Sequence, residues 1–391
     1  MTYSILSSDA KLGIAAEPAP AGYTVPSFTI PFMSGTRYRS AITQLYDRTI
    51  RATDTDTVAI AQGHYWSDWT ITSEAYPDWA GWLYRAMIGP DQCTPGTVTT
   101  FAAASMPGAT SVSLAAAPPD GSVLQLGTGA TLEYAQAGTP TGSGPYTVPV
   151  TTPASGLQNA HAAGEPAQSQ AVHLFRQNRV PGVTVWPTYS LTTDDGVDQL
   201  GWPGCTLGKV RLQVEASGYA RLASDWSGFP PAAEATFTEA QTLAQPFAGW
   251  SWAITTAGGT STRGVTLDLA LTRDLDIVLA CDGSQAPYVI AAGPMRASGS
   301  YRAIFDTASD LNLYRQAIQE PAIWTLSQPV LQGGASVAVT LSLSGWTAGE
   351  VSLEEQYVTA NFGLSGIANT ADSPNTGVSS VTLVNWWNQS Y

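Results

Sequence analysis

The stretch that decides the fold is KVRLQVEASGYARLASDW, residues 209–226. Val210, Leu212, Val214 and Ala216 alternate with Lys209, Arg211, Gln213 and Glu215, the period of a strand with one buried and one wetted face. Ser217-Gly218 then supplies a two-residue turn, and a second run begins near Arg221 and returns along the first. The reading is a β-hairpin with Lys209, Arg211, Gln213, Glu215 and Arg221 as candidate wall-lining residues and Gly218 at its tip. A near copy, VAVTLSLSGWTAGEV, starts at Val337, 127 positions after Val210, and puts Ser344-Gly345 in the matching turn. Bulky β-branched side chains at Gly218 or Gly345 are therefore expected to damage assembly of the two hairpins.

Outward from the hairpin, a second self-similarity extends the pattern. VAIAQG (58–63) and YVIAAG (288–293) align at an offset of 230, and the same offset aligns WLYRAMI (82–88) with NLYRQAI (312–318). Both later pieces read as helices. Pro77 and Asp78 open the first, Trp79, Trp82, Leu83 and Ala86 form its apolar side, and Gly89 stops it. Residues Asp306 to Asp310 open the second, with Leu311, Tyr314 and Ile318 on one face. The order strand, helix, hairpin thus occurs twice.

The spacing between Gly63 and Gly218 exceeds that between Gly293 and Gly345 by about 100 residues, which marks an insertion in the first copy. No Lys or Arg occurs between Arg85 and Arg176, and SVLQLGTGATLEY alternates between turn signals. The expected organisation is an N-terminal arm at 1–55, a first unit at 56–90 and 173–232, and a small all-β domain inserted at 91–172. A second unit with a C-terminal strand fills 233–391. The arm, ending in RYRSAITQLYDRTIRATD without a sustained apolar face, is expected to order on a partner surface.

Composition excludes several functions. Formal net charge is −14 with two lysines and fourteen arginines, the reverse of a nucleic-acid binder's footprint. Nothing approaches the roughly 18 apolar residues that span a bilayer, and no basic start precedes an apolar run, so the chain is expected to be soluble and intracellular when made. Cys93, Cys205 and Cys281 are far apart and read as buried free thiols. His64, His161 and His173 form no metal-binding pattern, and no nucleophile elbow occurs. GCTLGKV and GTGATL imitate phosphate and dinucleotide loops but lack the required residues, and read as turns. No catalytic, cofactor or metal site is assigned. Asp194/Asp195 and Glu354/Glu355, beside thirteen tryptophans, leave a carbohydrate-binding sandwich as an alternative. The tryptophans fall mostly within amphipathic elements, where burial is their commoner fate.

In order along the chain, LGIAAEPAPAGYTVPSFTIPFMSGTRY, SDWTITSEAYPDWAGWLYRAMIG, the module ending LQNAHAAGEPAQ and GCTLGKVRLQVEASGYARLASDWSG resemble the tail tube proteins of long-tailed bacteriophages. The second half resembles that family's closing strand–helix–hairpin unit. The resemblance implies a mainly β protein with two tandem β-sandwich units, each with a flanking helix, plus the inserted β domain. It implies a structural virion protein, not an enzyme, whose hairpins join between subunits into a barrel around a lumen. Implied partners are other copies of the chain in stacked rings, a tape-measure protein and transiting DNA in the lumen, and tail terminator and tail tip proteins, with no membrane. A duplicated unit favours three chains per ring with pseudo-sixfold symmetry over six. A tail hub or distal tail protein is the alternative within the same class. Lys209, Arg211 and Arg221 are expected either to face the lumen or to pair with carboxylates of a neighbouring subunit.

Overall fold

Long strands with apolar residues at every second position must bury one face, and that requirement organises the chain into layers. The computed structural model describes residues 10–49, 56–153, 155–177, 186–232, 242, 244–353, 356–369 and 377–391. The fold is mainly β, with two α-helices among the described residues.

A continuous antiparallel sheet carries the repeat. Its strands lie in the order Arg37–Asp47, Ala59–Glu74, Arg221–Gly228, Gln199–Glu215, Gly264–Val278, Val289–Ile304, Thr359–Ile367 and Ser336–Ser352. The last four repeat the first four. Ala59–Glu74 and Val289–Ile304 occupy corresponding stretches at the offset of 230. Irregularities in register recur at corresponding places, which fixes the equivalence residue by residue. In the first hairpin, Gly63 and His64 together oppose Thr43; in the second, Gly293 and Pro294 oppose Asp274. A Cβ on Gly63 would lie 2.5 Å from Thr43 Oγ1 and one on Gly293 3.1 Å from the Asp274 carbonyl oxygen, so a side chain is crowded at both bulges, more tightly at the first. In the long strands, Gly208 and Thr347 are the unpaired residues.

Each long strand leaves this sheet to help form an opposing layer. Residues 199–205 pair with Tyr189–Asp194, which pairs with Lys11–Ala16. Residues 336–344 pair with Glu320–Ser327, which pairs with Trp252–Thr256. A helix completes each sandwich. α1 (Pro77–Met87) buries Trp79, Trp82, Leu83 and Tyr84. Fully burying a side chain of that kind contributes about 1.5–3 kcal/mol. α2 (Ser309–Arg315) is shorter than expected and buries only Leu311; Tyr314 and Ile318 are exposed.

Several expectations need correction. The hairpin at 209–226 forms, but five residues, 216–220, connect its strands, because Glu215 pairs with Thr266 while Arg221 already pairs with Gln213. Gly218 is not in the left-handed region, and a Cβ there meets nothing. Ser344-Gly345 is not a turn: the strand runs unbroken from Ser336 to Ser352 and passes from one layer to the other at this point. Gly345 pairs with Ser365 inside the sheet. The alignment 127 positions apart is therefore out of step, and the bulges make Ala348, not Ser336, the equivalent of Lys209. GCTLGKV is strand, not turn.

The expected arm is part of both layers. Lys11–Ala16 pairs with Tyr189–Asp194, and the Glu17 carboxylate accepts from Ser190 Oγ (2.7 Å) and Gly204 N (2.8 Å). Arg37–Asp47 pairs with Ala59–Glu74. Its outer half projects with both faces exposed, so no apolar period marks it. The separate small sheet and its core (Phe101, Leu114, Leu124, Val148 and neighbours) lie within Val98–Ser169. The flanking Asp91–Thr94 and Ala171–Arg176, assigned to the insertion and its junction, instead pair with each other, and Ala171–Arg176 pairs with Ser379–Asn385 of the second unit.

Candidate assembly surface

The long sheet has one apolar and one polar face, and the polar one carries much of the chain's sparse charge. Leu212, Leu222, Ile71, Leu269, Tyr301 and Phe362 point inward to the core. Opposite them, Lys209 faces Asp225 across one strand pair and Arg221 faces Glu74 across the next. Arg39 donates to Asp68 at 2.9 Å, and Arg296 to Asp274 at 2.8 Å. Gln213 and Glu215 lie on the same face, by the same alternation. Arg211 pairs with Asp268 of the same chain, and this hydrogen-bonded carboxylate raises the arginine's pKa. Charges of both signs interleave, so the face is polar without a strong field of either sign.

The Arg211–Asp268 pair sits at the junction of the two units, where Lys209–Glu215 pairs with Thr266–Thr272. Sequence reading missed Asp268, because no local pattern links two residues that far apart. At the outer ends of the sheet, Arg37–Asp47 and residues 345–352 each have one strand neighbour among the described residues. Tyr38, Ile42, Leu45, Tyr46 and Ile60 are exposed on the projecting first hairpin, with Tyr288 and Val289 on the second. Burial, with a hydrogen bond to Asp195, pushes the Tyr38 phenol up to about 12.

The candidates for chemistry have structural roles. Asp194 and Asp195 accept backbone N–H groups of a turn, Gly196 for the first and Val197 and Asp198 for the second. Glu354/Glu355 lie outside the described residues. His161 bridges Glu133 (2.8 Å) and Glu165 (3.2 Å) and stacks on Phe101. Asp91, Cys93 and His173 come within ligand reach of one another, but His173 is engaged through Nδ1 with Asp91 and through Nε2 with the Trp387 carbonyl, both within 2.8 Å. Of the thiols only Cys205 is buried; Cys93 is half-buried and Cys281 exposed. Burial pushes the Cys205 thiol up.

The site is thus a doubled sandwich with a charge-balanced polar face and exposed apolar residues on two projecting hairpins. A family model described as phage tail tube protein matches residues 7–328. The chain belongs to the phage tail tube protein family. No curated protein matches it. As a tail tube protein it has a structural role in the virion tail. The match covers the first unit and the second as far as the strand Glu320–Ser327.

Proposed function

We propose that the chain self-assembles edge to edge into rings, that the rings stack into the tail tube, and that the tube is the conduit for DNA ejection. The observation that carries this reading is the internal junction: two four-strand units already pair side by side in one sheet, whose two outer strands have no further strand neighbour among the described residues. Closing a sheet removes the edges that otherwise invite aggregation. Three chains supply six units, hence a trimeric ring with pseudo-sixfold symmetry. At a strand spacing of about 4.8 Å and a tilt of about 40°, eight strands from each of three chains enclose a bore on the order of 50 Å between backbones.

The polar face, including Lys209, Arg211, Gln213, Glu215 and Arg221, then lines the lumen. Its paired charges would hold neither a tape-measure protein nor passing DNA tightly, since a wall of unpaired cations would bind phosphate. The inserted domain decorates the exterior. Assembly occurs in the host cytoplasm, and terminator and tip proteins cap the finished tube. Negative-stain micrographs of the purified chain test the reading. Hollow tubes with three inserted domains per ring are expected. Six such domains per ring refute the trimer, single unstacked rings favour a hub or distal tail protein, and monomers that bind glycans favour the carbohydrate alternative.

A further inference from the structure

We propose that the two outer sheet edges pair between copies in the register of the internal junction, and that a charge-reversed counterpart of Arg211–Asp268, formed by Glu350 and Arg37, fixes which edge meets which. The proposal rests on the ring reading above and adds the interface to it.

The equivalence follows from the bulges. Arg211 lies three residues after unpaired Gly208, and Glu350 lies three after unpaired Thr347. Asp268 lies six before Asp274, and Arg37 six before Thr43, the single residues opposed by the paired bulge residues. At the internal junction Lys209 is opposite Thr272 and Arg211 opposite Ala270, with Asp268 on the diagonal. Laying the outer edges in the same register puts Ala348 opposite Ala41, Glu350 opposite Arg39, and Arg37 on the diagonal. Neither edge contains a proline between residues 35 and 41 or 348 and 353, so every N–H there can join a ladder. Glu350 and Arg37 are both exposed.

The reversal of sign is a specificity device. The Arg211 and Asp268 strands are already paired within the chain, so among the described residues the Arg37 edge and the Glu350 edge are left to meet between copies, and their opposite charges favour that contact over one between two like edges.

Burial differs between equivalent residues as the proposal requires. Tyr84 is 2% exposed and its counterpart Tyr314 36%; Ile88 is 1% exposed and Ile318 37%; Val214 is 1% exposed and Leu353 76%. In the first unit the second hairpin reaches this region: Val214 lies opposite Leu267, and Arg273 donates to the Met87 carbonyl at the end of α1 and lies 3.8 Å from the Trp186 ring centroid, while Phe175 of the same chain also packs near Tyr84. The residue matching Arg273 on the first hairpin is Ile42, exposed and apolar. Seated on the next copy, it would cover Tyr314 and Ile318.

Disulfide trapping tests the register. Directly opposed antiparallel residues have Cα atoms about 4.5–5.5 Å apart, within disulfide reach. With Cys281→Ser removing the exposed thiol, Ala41→Cys together with Ala348→Cys is expected to give, on oxidation of assembled tubes, a covalent ladder ending at three chains, and neither single variant should. Glu350→Arg or Arg37→Glu should raise the concentration needed for assembly about tenfold or more, without moving the subunit's melting temperature, and the double reversal should restore it. Tubes that lack the cross-link, or charge reversals that assemble normally, overturn the register and leave the tube reading standing. A chain that forms neither rings nor tubes overturns both.

Discussion

Gly249 shows how closely one residue can be constrained by a turn that looks permissive. Its N–H donates to the Gly218 carbonyl at 2.7 Å, and a Cβ on it would fall 1.9 Å from the Glu215 carbonyl oxygen. Backbone cannot yield as a flexible side chain does. Gly249→Ala should therefore destabilise the subunit by about 2–3 kcal/mol, whereas Gly218→Ala, facing open space, should stay within about 0.5 kcal/mol; urea unfolding of the two variants measures both. Asp195 offers a second residue-scale test, through pH. Backbone N–H groups of Asp198 and then Val197 hold its carboxyl below the usual range, and Tyr38 adds a hydrogen bond. A carboxyl depressed in the fold adds stability above the unfolded value of about 3.9, and that stability is lost as pH falls through the folded value. Melting temperature followed from pH 6 to about 3 should accordingly fall less steeply in Asp195→Asn than in the parent chain. Equal slopes would mean that Asp195 does not contribute to the acid limb.

Elements that match in sequence differ in what surrounds them, and the two helices show it best. Tyr84 is enclosed by the chain itself, while Tyr314, which packs against Gly349, keeps about a third of its surface exposed. Tyr84→Ala should cost the subunit about 3 kcal/mol or more, as large aromatic truncations in cores do. Tyr314→Ala should cost the isolated subunit less than about 1 kcal/mol yet reduce tube formation, read by urea unfolding beside sedimentation of assembled material. The first helix and the offset of 230 were legible in the sequence because Ala59–Glu74 and Val289–Ile304 align without a gap. The second long strand was not. Ser344-Gly345 carries a turn's composition at the place where an extended chain passes between layers, and only the pairing of Gly345 with Ser365 separates the two readings. Arg37–Asp47 was hidden for a different reason: a strand exposed on both faces has no core to impose alternation. Lys209, Arg211, Gln213, Glu215 and Arg221 could be placed on a polar face from their spacing, but their partners Asp268 and Glu74 lie on strands distant in sequence.

At the scale of the whole molecule, the inserted domain hangs from two strands that already pair with each other. Thr94 faces Val172, so the chain leaves and re-enters the second unit's sheet at adjacent points. Its own core is separate from the main one. Among the described residues it meets the body around 330–334 and 386: Tyr134 lies 5.5 Å from Trp386 between ring centroids, and Val123 packs at Gly334, beside the junction residue Gln170, whose Nε2 donates to the Gly333 carbonyl at 2.8 Å. None of these residues belongs to the long sheet or its outer edges. Replacing residues 98–169 by a short Gly/Ser linker should therefore leave both units folded and the tube intact, with loss of outer density in averaged micrographs and unchanged bore. The uncovered Trp386 should lower subunit stability by about 1–2 kcal/mol, since a large apolar ring returns to water. Retained tubes of reduced outer diameter would establish the domain as an external addition; loss of tubes from a still-folded subunit would instead make it part of the wall.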